Sequence, residues 1–191
     1  MPDKVVLDKN KVKLEYIPEF DELIEYQEYS HIKNKREHYR LLSYISKQFN
    51  NCYISDFGTL FGASALALSQ NSTNHVHSYD VDIKPKRFKK ENITFNEKDA
   101  VISIMAKYSK IILLDVDPHY GQLERIIYAK LVIEGFKGIL ICDDIFLNDE
   151  MRAFWNSIKL DKYNFTDVGH ATGTGIVDFC IGIEVIERED F

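Results

Sequence analysis

The stretch Tyr53-Ile54-Ser55-Asp56-Phe57-Gly58-Thr59-Leu60-Phe61-Gly62-Ala63-Ser64-Ala65-Leu66-Ala67-Leu68 decides the fold. Residues 52–57 form a short apolar run and read as a strand; Gly58 and Gly62 follow, and residues 62–70 read as a helix. Glycines at such a turn let the backbone bend sharply and approach a ligand closely, and the new helix presents unpaired N–H groups. Outward from this turn, short apolar runs keep alternating with amphipathic segments. Strands are predicted over residues 75–82, 92–95, 110–117 and 138–144, with a short helix around residues 101–107 and a longer one carrying Leu123, Ile126, Ile127 and Leu131 on one face. The run Lys110-Ile111-Ile112-Leu113-Leu114-Asp115-Val116-Asp117 is continuously apolar until its acids, as expected of a strand covered on both faces. Residues 163–169 and the alternating Val177, Phe179, Ile181, Ile183 and Val185 predict an antiparallel hairpin joined through Gly173 and Gly175.

This alternation predicts an α/β chain: a Rossmann-like three-layer sandwich with a mostly parallel seven-stranded sheet and a C-terminal antiparallel hairpin, preceded by N-terminal helices. Pro18 suits a first helical turn, with Phe20, Leu23, Ile24 and Gln27 at helical spacing. A second helix places His38, Leu41, Leu42, Ile45 and Phe49 on one face. With no repeat, low-complexity tract or Pro/Gly-rich linker, residues 1–191 read as one domain, 1–50 as a helical cap and 51–191 as the core.

Composition narrows the class. A formal net charge of −6 argues against a sequence-blind grip on nucleic acid or an anionic membrane. No apolar run approaches the roughly 20 residues that span a bilayer. The N-terminal residues lack the unbroken apolar core of a signal peptide. Cys52, Cys142 and Cys180 are scattered singly in apolar stretches and read as buried strand thiols of a reducing compartment, so the expected location is cytoplasmic.

Ligands of a parallel sheet bind beyond the carboxyl ends of its strands, which makes Asp56, Asp80, Asp115, Asp117, Asp143 and Asp144 informative. Asp80 follows the glycine turn by roughly the 20 residues at which an acid accepts hydrogen bonds from ribose hydroxyls. Separately, either feature is common: glycine turns abound in α/β proteins, and a strand-end acid is often only solvated. Together they favour a nucleoside-bearing cofactor. Residues 53–69 followed by His77-Ser78-Tyr79-Asp80-Val81-Asp82 resemble the first two motifs of class I S-adenosylmethionine-dependent methyltransferases. The resemblance implies that the loop holding Asp56, Gly58, Thr59, Gly62 and Ser64 takes the methionine end of the cofactor. It implies ribose binding by Asp80, with Asp99 near the adenine and Asp115 also beside the cofactor.

The later segments, Leu113-Leu114-Asp115-Val116-Asp117-Pro118-His119-Tyr120-Gly121 and Gly138-Ile139-Leu140-Ile141-Cys142-Asp143-Asp144, resemble the metal-dependent O-methyltransferases. That group includes the macrocin and sugar enzymes and, more distantly, the catechol and caffeoyl-CoA enzymes. The likeness extends over residues 51–184 and implies a divalent ion, Mg²⁺ by preference, on Asp115, Asp143 and Asp144. It further implies methyl transfer to a hydroxyl of a small molecule, a sugar or glycan being favoured, and leaves homodimerisation open. The residues themselves are consistent with an ion: Asp115 and Asp117 share a face of an extended chain, and carboxylates converging at one sheet edge repel unless neutralised. The bland alternative is a fan of loop acids that never converge. For the base, Asp117 is preferred by analogy with the sugar enzymes; His119 is the rival, because an imidazole pKa of about 6.5 suits the task better.

Two basic clusters remain, Lys84, Lys86, Arg87, Lys89 and Lys90, and Lys33, Lys35, Arg36 and Arg40 with His31 and His38. Both read first as solvated helix faces. A sharper reading has the second cluster meeting a phosphate on the acceptor, with Tyr16, Tyr26, Tyr29 and Tyr39 lining a pocket. Alternative functions are a nucleotide or RNA-cap 2′-O-methyltransferase, for which Asp115 and Glu184 supply only half of a Lys-Asp-Lys-Glu set, and a non-catalytic module that merely binds the cofactor. A short-chain reductase and a phospho-acceptor receiver fit less well, because their motifs stand in the wrong order here.

Overall fold

The computed structural model describes residues 4–12, 20, 38–82, 88–100 and 106–189. Its first strand, β1 (Val5–Asp8), stands apart from the main sheet. That sheet contains β2 (Tyr53–Phe57), β3 (His75–Asp80), β4 (Ile93–Glu97), β5 (Ser109–Leu114), β6 (Ile139–Cys142), β7 (Lys162–Asn164) and β8 (Gly175–Asp178), in the order β4-β3-β2-β5-β6-β8-β7. Strands β2 to β6 run parallel, and β8 joins β6 and β7 antiparallel. The predicted three-layer, mostly parallel sandwich with a closing antiparallel pair is the architecture observed.

Strand β5 shows why three layers form. Ile111 and Leu113 belong to one buried cluster, together with Leu41, Leu42 and Ile45 of α1 (Tyr39–Ser46) and every apolar residue of the alanine-rich α2 (Ala63–Leu68). Ile112 and Leu114 face the opposite cluster. There they meet Ile127 and Leu131 of α3 (Gln122–Ile133) and Phe154 and Trp155 of α4 (Asp149–Ser157). Each such Leu or Ile contributes about 1.5–3 kcal/mol by leaving water.

Several details differ from the pattern read in the sequence. The alternating run 177–185 is two strands, because left-handed Cys180 (φ 63°) and Gly182 (φ 78°) turn the chain after β8. Its second half, β9 (Ile183–Ile186), leaves the main sheet and pairs in parallel with β1. Residues 5–8 of the expected helical cap are therefore a strand, while the second predicted helix is α1. The first predicted helix lies outside the described residues except for Phe20, which is buried and helical. Most of the 101–107 helix also lies outside them; residues 106–108 form a 3₁₀ turn. Helix α4 has no counterpart among the predicted elements, although Asn148 caps it by accepting the Met151 N–H at 2.8 Å, and Asp149 and Glu150 occupy its first turn. Cys142 is buried as expected, Cys52 half-buried and Cys180 exposed on the turn. None of the described helices is long and apolar enough to cross a membrane.

Candidate functional site

Strand β2 is the point at which the sheet order reverses, with β3 to one side and β5 to the other. Crevices open at the carboxyl edge of such a point. Here a cavity of about 580 Å³ is lined by Gly58, Asp80, Asp99, Asp115, Asp117 and His119, with Leu60, Val81 and Leu123 among its apolar walls. Residues from Gly58 to Leu123 thus meet because five parallel strands end on one side.

Gly58 brings β2 and β5 together at the floor. Its φ is 95°, and a Cβ there would lie 1.5 Å from the carbonyl oxygen of Asp115. The Gly58 N–H donates to the Tyr79 carbonyl at 3.0 Å, and the Asp115 N–H donates to the Phe57 carbonyl at 3.0 Å. Asp80 fastens the loop from β3: its Oδ2 accepts the Leu60 N–H at 2.8 Å and its Oδ1 accepts the Asp82 N–H at 3.0 Å.

Asp56, Thr59, Gly62 and Ser64, predicted to touch the cofactor, do not line the cavity. Asp56 is fully buried, and its Oδ2 accepts from Ser64 Oγ at 3.1 Å and Ser78 Oγ at 2.6 Å. Gly62 donates its N–H to the Thr59 carbonyl at 2.6 Å. These residues hold the loop from beneath, because an acid placed mid-strand at β2 points into the packed layer under the turn.

Beyond the cavity the acids of β5 and β6 converge among three imidazoles. Asp143 Oδ1 is 3.2 Å from His38 Nδ1, and its Oδ2 is 3.2 Å from His170 Nδ1. Asp144 Oδ1 is 3.2 Å from the same His170 nitrogen and accepts a short hydrogen bond from Thr172 Oγ1. Asp144 Oδ2 lies 3.6 Å from His119 Nε2, which is also 3.8 Å from Asp115 Oδ1 and 3.5 Å from Asp117 Oδ1. His119 and Asp144 both have left-handed backbones, φ 54° and 55°. Non-glycine residues hold that conformation only where their surroundings impose it, and such strain clusters at functional sites.

The charges are unequal. Burial would raise the Asp143 carboxyl, but the His38 and His170 rings against it hold it well below the usual carboxylate range. Asp115 goes the other way: burial raises it, and the neighbouring charges of Asp143 and Asp144 raise it further, with His38 only partly offsetting them. Asp115 therefore holds its proton more tightly than an ordinary carboxyl, and Asp143 less tightly.

Two buried ionisable side chains complete the surroundings of these acids. Glu124 is not among the apolar residues that predict the buried face of this helix, yet it is 2% exposed, whereas Ile126, which is among them, is 47% exposed. The inward face of α3 is Glu124, Ile127 and Leu131, spaced by three and four residues. Its carboxylate points to His119, with Oε1 3.9 Å from Nδ1, and burial raises its pKa. His38, which the sequence places both on the apolar face of the second helix and beside a basic cluster, is 2% exposed and goes with the apolar face. His170 has no local signal: the run Gly169-His170-Ala171-Thr172-Gly173-Thr174-Gly175 reads as a turn, and only its density of side-chain donors between glycines hints at a site. That loop is zipped to the end of β6, the Phe146 N–H donating to the Thr172 carbonyl at 2.8 Å and the Ile145 N–H to the Gly173 carbonyl at 3.2 Å.

Glu184, the candidate partner of Asp115 in a Lys-Asp-Lys-Glu set, is exposed on β9 and does not line the cavity. Lys33, Lys35, Arg36, His31, Lys84, Lys86, Arg87, Tyr16, Tyr26 and Tyr29 fall outside the described residues.

No protein-family model matches the sequence, and no curated protein matches it. Solved structures do. An SAH-bound methyltransferase from Podospora anserina superposes with a TM-score of 0.60 at 13% identity, covering 89% of this chain and 91% of that one. A methyltransferase from Geobacter sulfurreducens gives 0.58 at 14% identity over 87% and 92% of the two chains. An O-methyltransferase from Bacillus cereus, in complex with SAH, gives 0.53 at 14% identity over 88% and 92%. At this identity the likeness establishes a common fold, and the resemblance read from the glycine turn and strand-end acids holds at that level.

Proposed function

We propose that the chain is an S-adenosylmethionine-dependent O-methyltransferase acting on a hydroxyl of a small molecule, a sugar or glycan by preference, with assistance from a divalent ion. The observation that carries this reading is one cavity joining Gly58, Asp80 and Asp99 to Asp115, Asp117 and His119. Its volume of about 580 Å³ suits a nucleoside-sized ligand. SAH in structures of the same fold supports the choice of cofactor.

In this reading Asp80 accepts the ribose hydroxyls with the lone pairs left over from Leu60 and Asp82, and Asp99 stands by the base. The close backbone approach at Gly58 leaves room for the methionine end. The cofactor's sulfonium makes its methyl group electrophilic, so the protein must align a hydroxyl and remove its proton. His119 is better built for that than Asp117. The Asp117 side chain is 94% exposed, whereas His119 is 15% exposed and turns Nε2 toward the strand-end acids and Nδ1 toward Glu124. The exposed Asp82, Lys98 and Asp99 at the rim offer hydrogen bonds to an array of hydroxyls, which supports a sugar-like acceptor.

The donor chemistry fits a cation. Asp115 Oδ1 and Asp144 Oδ2 both lie within 4 Å of His119 Nε2, with Asp143 adjacent in the chain, so oxygen donors of the kind a divalent ion takes stand on both sides of that ring. Bound there, a divalent ion would polarise the acceptor hydroxyl and lower its pKa. The set of three free thiols suits a reducing, cytoplasmic setting.

Calorimetric titration with S-adenosylhomocysteine tests the cofactor first, and methyl transfer from labelled S-adenosylmethionine to a panel of sugars, with and without divalent ion, tests the reaction. Saturable binding and ion-dependent labelling are expected. Absence of any binding would overturn the reading.

A further inference from the structure

We infer that His38 and His170 join Asp143, with Asp144 beside them, as ligands of a first-row transition dication of the zinc class, so that the ion site is a mixed nitrogen–oxygen centre rather than an all-carboxylate magnesium site. The inference deepens the metal-assisted reading above and rests on it only for the ion's use, not for its binding.

The geometry comes from three separate elements. His38 directly precedes α1, Asp143 and Asp144 directly follow β6, and His170 stands in the loop before β8. One ligand atom each from His38, Asp143 and His170 lies within 4.8 Å of both others. The two nitrogen–oxygen separations at Asp143 are both 3.2 Å. Donors bound at 2.0–2.2 Å to one tetrahedral ion stand about 3.4 Å apart, so little movement is needed to close on a cation. The His38 and His170 rings are 5.8 Å apart, edge to face, on opposite oxygens of one carboxylate.

Two threonine hydroxyls lie against these same donors and position them. Thr174 Oγ1 donates to Asp143 Oδ1 at 3.4 Å and accepts the backbone N–H of His170 at 2.8 Å, tying ring and carboxylate to one hydroxyl. Thr172 Oγ1 contacts both Asp144 Oδ1 and, at 3.0 Å, His170 Nδ1. Hydrogen bonds that fix ligating carboxylates and imidazoles typically raise metal affinity 10- to 100-fold.

The donor types select the ion. Mg²⁺ requires near-octahedral oxygen ligands and gives up water reluctantly, whereas imidazole suits zinc and its neighbours. Two rings on one carboxylate are a poor magnesium site and a good zinc one. The competing account of the same contacts is a purely protonic network, with the rings as imidazolium cations neutralising Asp143.

The test is isothermal titration of the full chain with ZnCl₂ and, separately, MgCl₂, together with the visible absorption of the Co²⁺-loaded protein. It is run on wild type, His38→Ala and His170→Ala, each with S-adenosylhomocysteine titrated in parallel and far-UV circular dichroism as the check on folding. His38 is fully buried, so the partly exposed His170 supplies the variant expected to keep the fold. One Zn²⁺ per chain, intense Co²⁺ bands, and a loss of at least about tenfold in Zn²⁺ affinity for folded His170→Ala support the inference. Unchanged Zn²⁺ affinity in folded His170→Ala, or Mg²⁺ bound in preference to Zn²⁺, overturns it while leaving a carboxylate-only ion site standing. No ion uptake by a protein that still binds S-adenosylhomocysteine overturns both it and metal assistance. Zn²⁺ uptake through the histidines without S-adenosylhomocysteine binding supports it and removes the methyltransferase reading instead.

Discussion

The backbone N–H of Leu60 donates to Asp80 Oδ2 at 2.8 Å, so the acid that ends β3 also holds the glycine loop that follows β2. One carboxylate therefore shapes the wall of the cavity and offers its remaining lone pairs to a ligand. Hydrogen bonds to a charged group contribute about 1.5–3 kcal/mol each. Asp80→Ala should weaken S-adenosylhomocysteine binding by at least about 30-fold, and Asp80→Asn, which keeps one acceptor oxygen for Leu60, should lose less. Calorimetry on the two variants checks this; equal losses would mean that the loop contact contributes nothing.

Gly58→Ala should be far worse for folding than its size suggests. A Cβ would fall 1.5 Å from the Asp115 carbonyl oxygen at a φ of 95°, so β2 and β5 would have to separate where the cavity floor is made. The expected cost is above about 2 kcal/mol, read as a fall of roughly 4 °C or more in Tm. Gly135, also left-handed (φ 67°) but with no atom within 4 Å of its would-be Cβ, is the control: Gly135→Ala should cost only the backbone strain.

The glycine turn and strand-end acids were legible because both are written locally. A strand buried on two faces reads as a continuous apolar run, and the acid that stops it marks the ligand edge. The sequence therefore placed Gly58, Asp80, Asp99, Asp115, Asp117 and His119, which line one cavity. What it hid depends on tertiary direction. His38 follows the helical apolar stripe and is buried with it, but nothing local says that a carboxylate from β6 waits there. Glu124 and Ile126 exchange the faces that polarity alone would give them, since the first turn of α3 abuts His119 instead of the apolar layer. The break at Cys180 is hidden for a different reason: the alternation of Val177 to Val185 continues across it, and only a left-handed turn sends β9 to another sheet.

Asp115→Asn should stabilise the ion-free protein at neutral pH. Burial and the charges of Asp143 and Asp144 keep the folded-state carboxyl protonated to higher pH than in the unfolded chain, where it ionises near the ordinary value. Between those two pKa values the native state binds more protons than the unfolded state, so this group makes stability fall as pH rises. An amide removes that dependence. The gain should be absent near pH 3.5, grow upward from about pH 4, and reach about 2–4 °C in Tm for each kcal/mol recovered. Thermal melts across pH in the presence of chelator test it; a variant less stable than wild type at pH 7 would contradict the proposed repulsion.

The identity of the base is decided by comparing three side chains around one ring. His119 Nε2 faces Asp115, Asp117 and Asp144, while Nδ1 faces the buried Glu124 across 3.9 Å. At 3.9 Å the Glu124 carboxylate is beyond hydrogen-bond reach and acts on the ring through its charge, favouring the imidazolium that forms when the other nitrogen takes a proton. His119→Ala should thus lower kcat by about 100-fold or more with S-adenosylhomocysteine affinity nearly kept, the usual scale for losing a general base. Glu124→Gln should lower kcat less and leave KM for the acceptor little changed, because it acts on the ring and not on the ligand. Asp117→Ala removes a side chain that projects into solvent, and a kcat within about threefold of wild type is expected, in keeping with the small effects of exposed substitutions. Steady-state kinetics of the three variants against one acceptor separate the possibilities: a collapse at Asp117 with His119→Ala still active would move the proton transfer to the carboxylate and leave Glu124 as a purely structural buried acid.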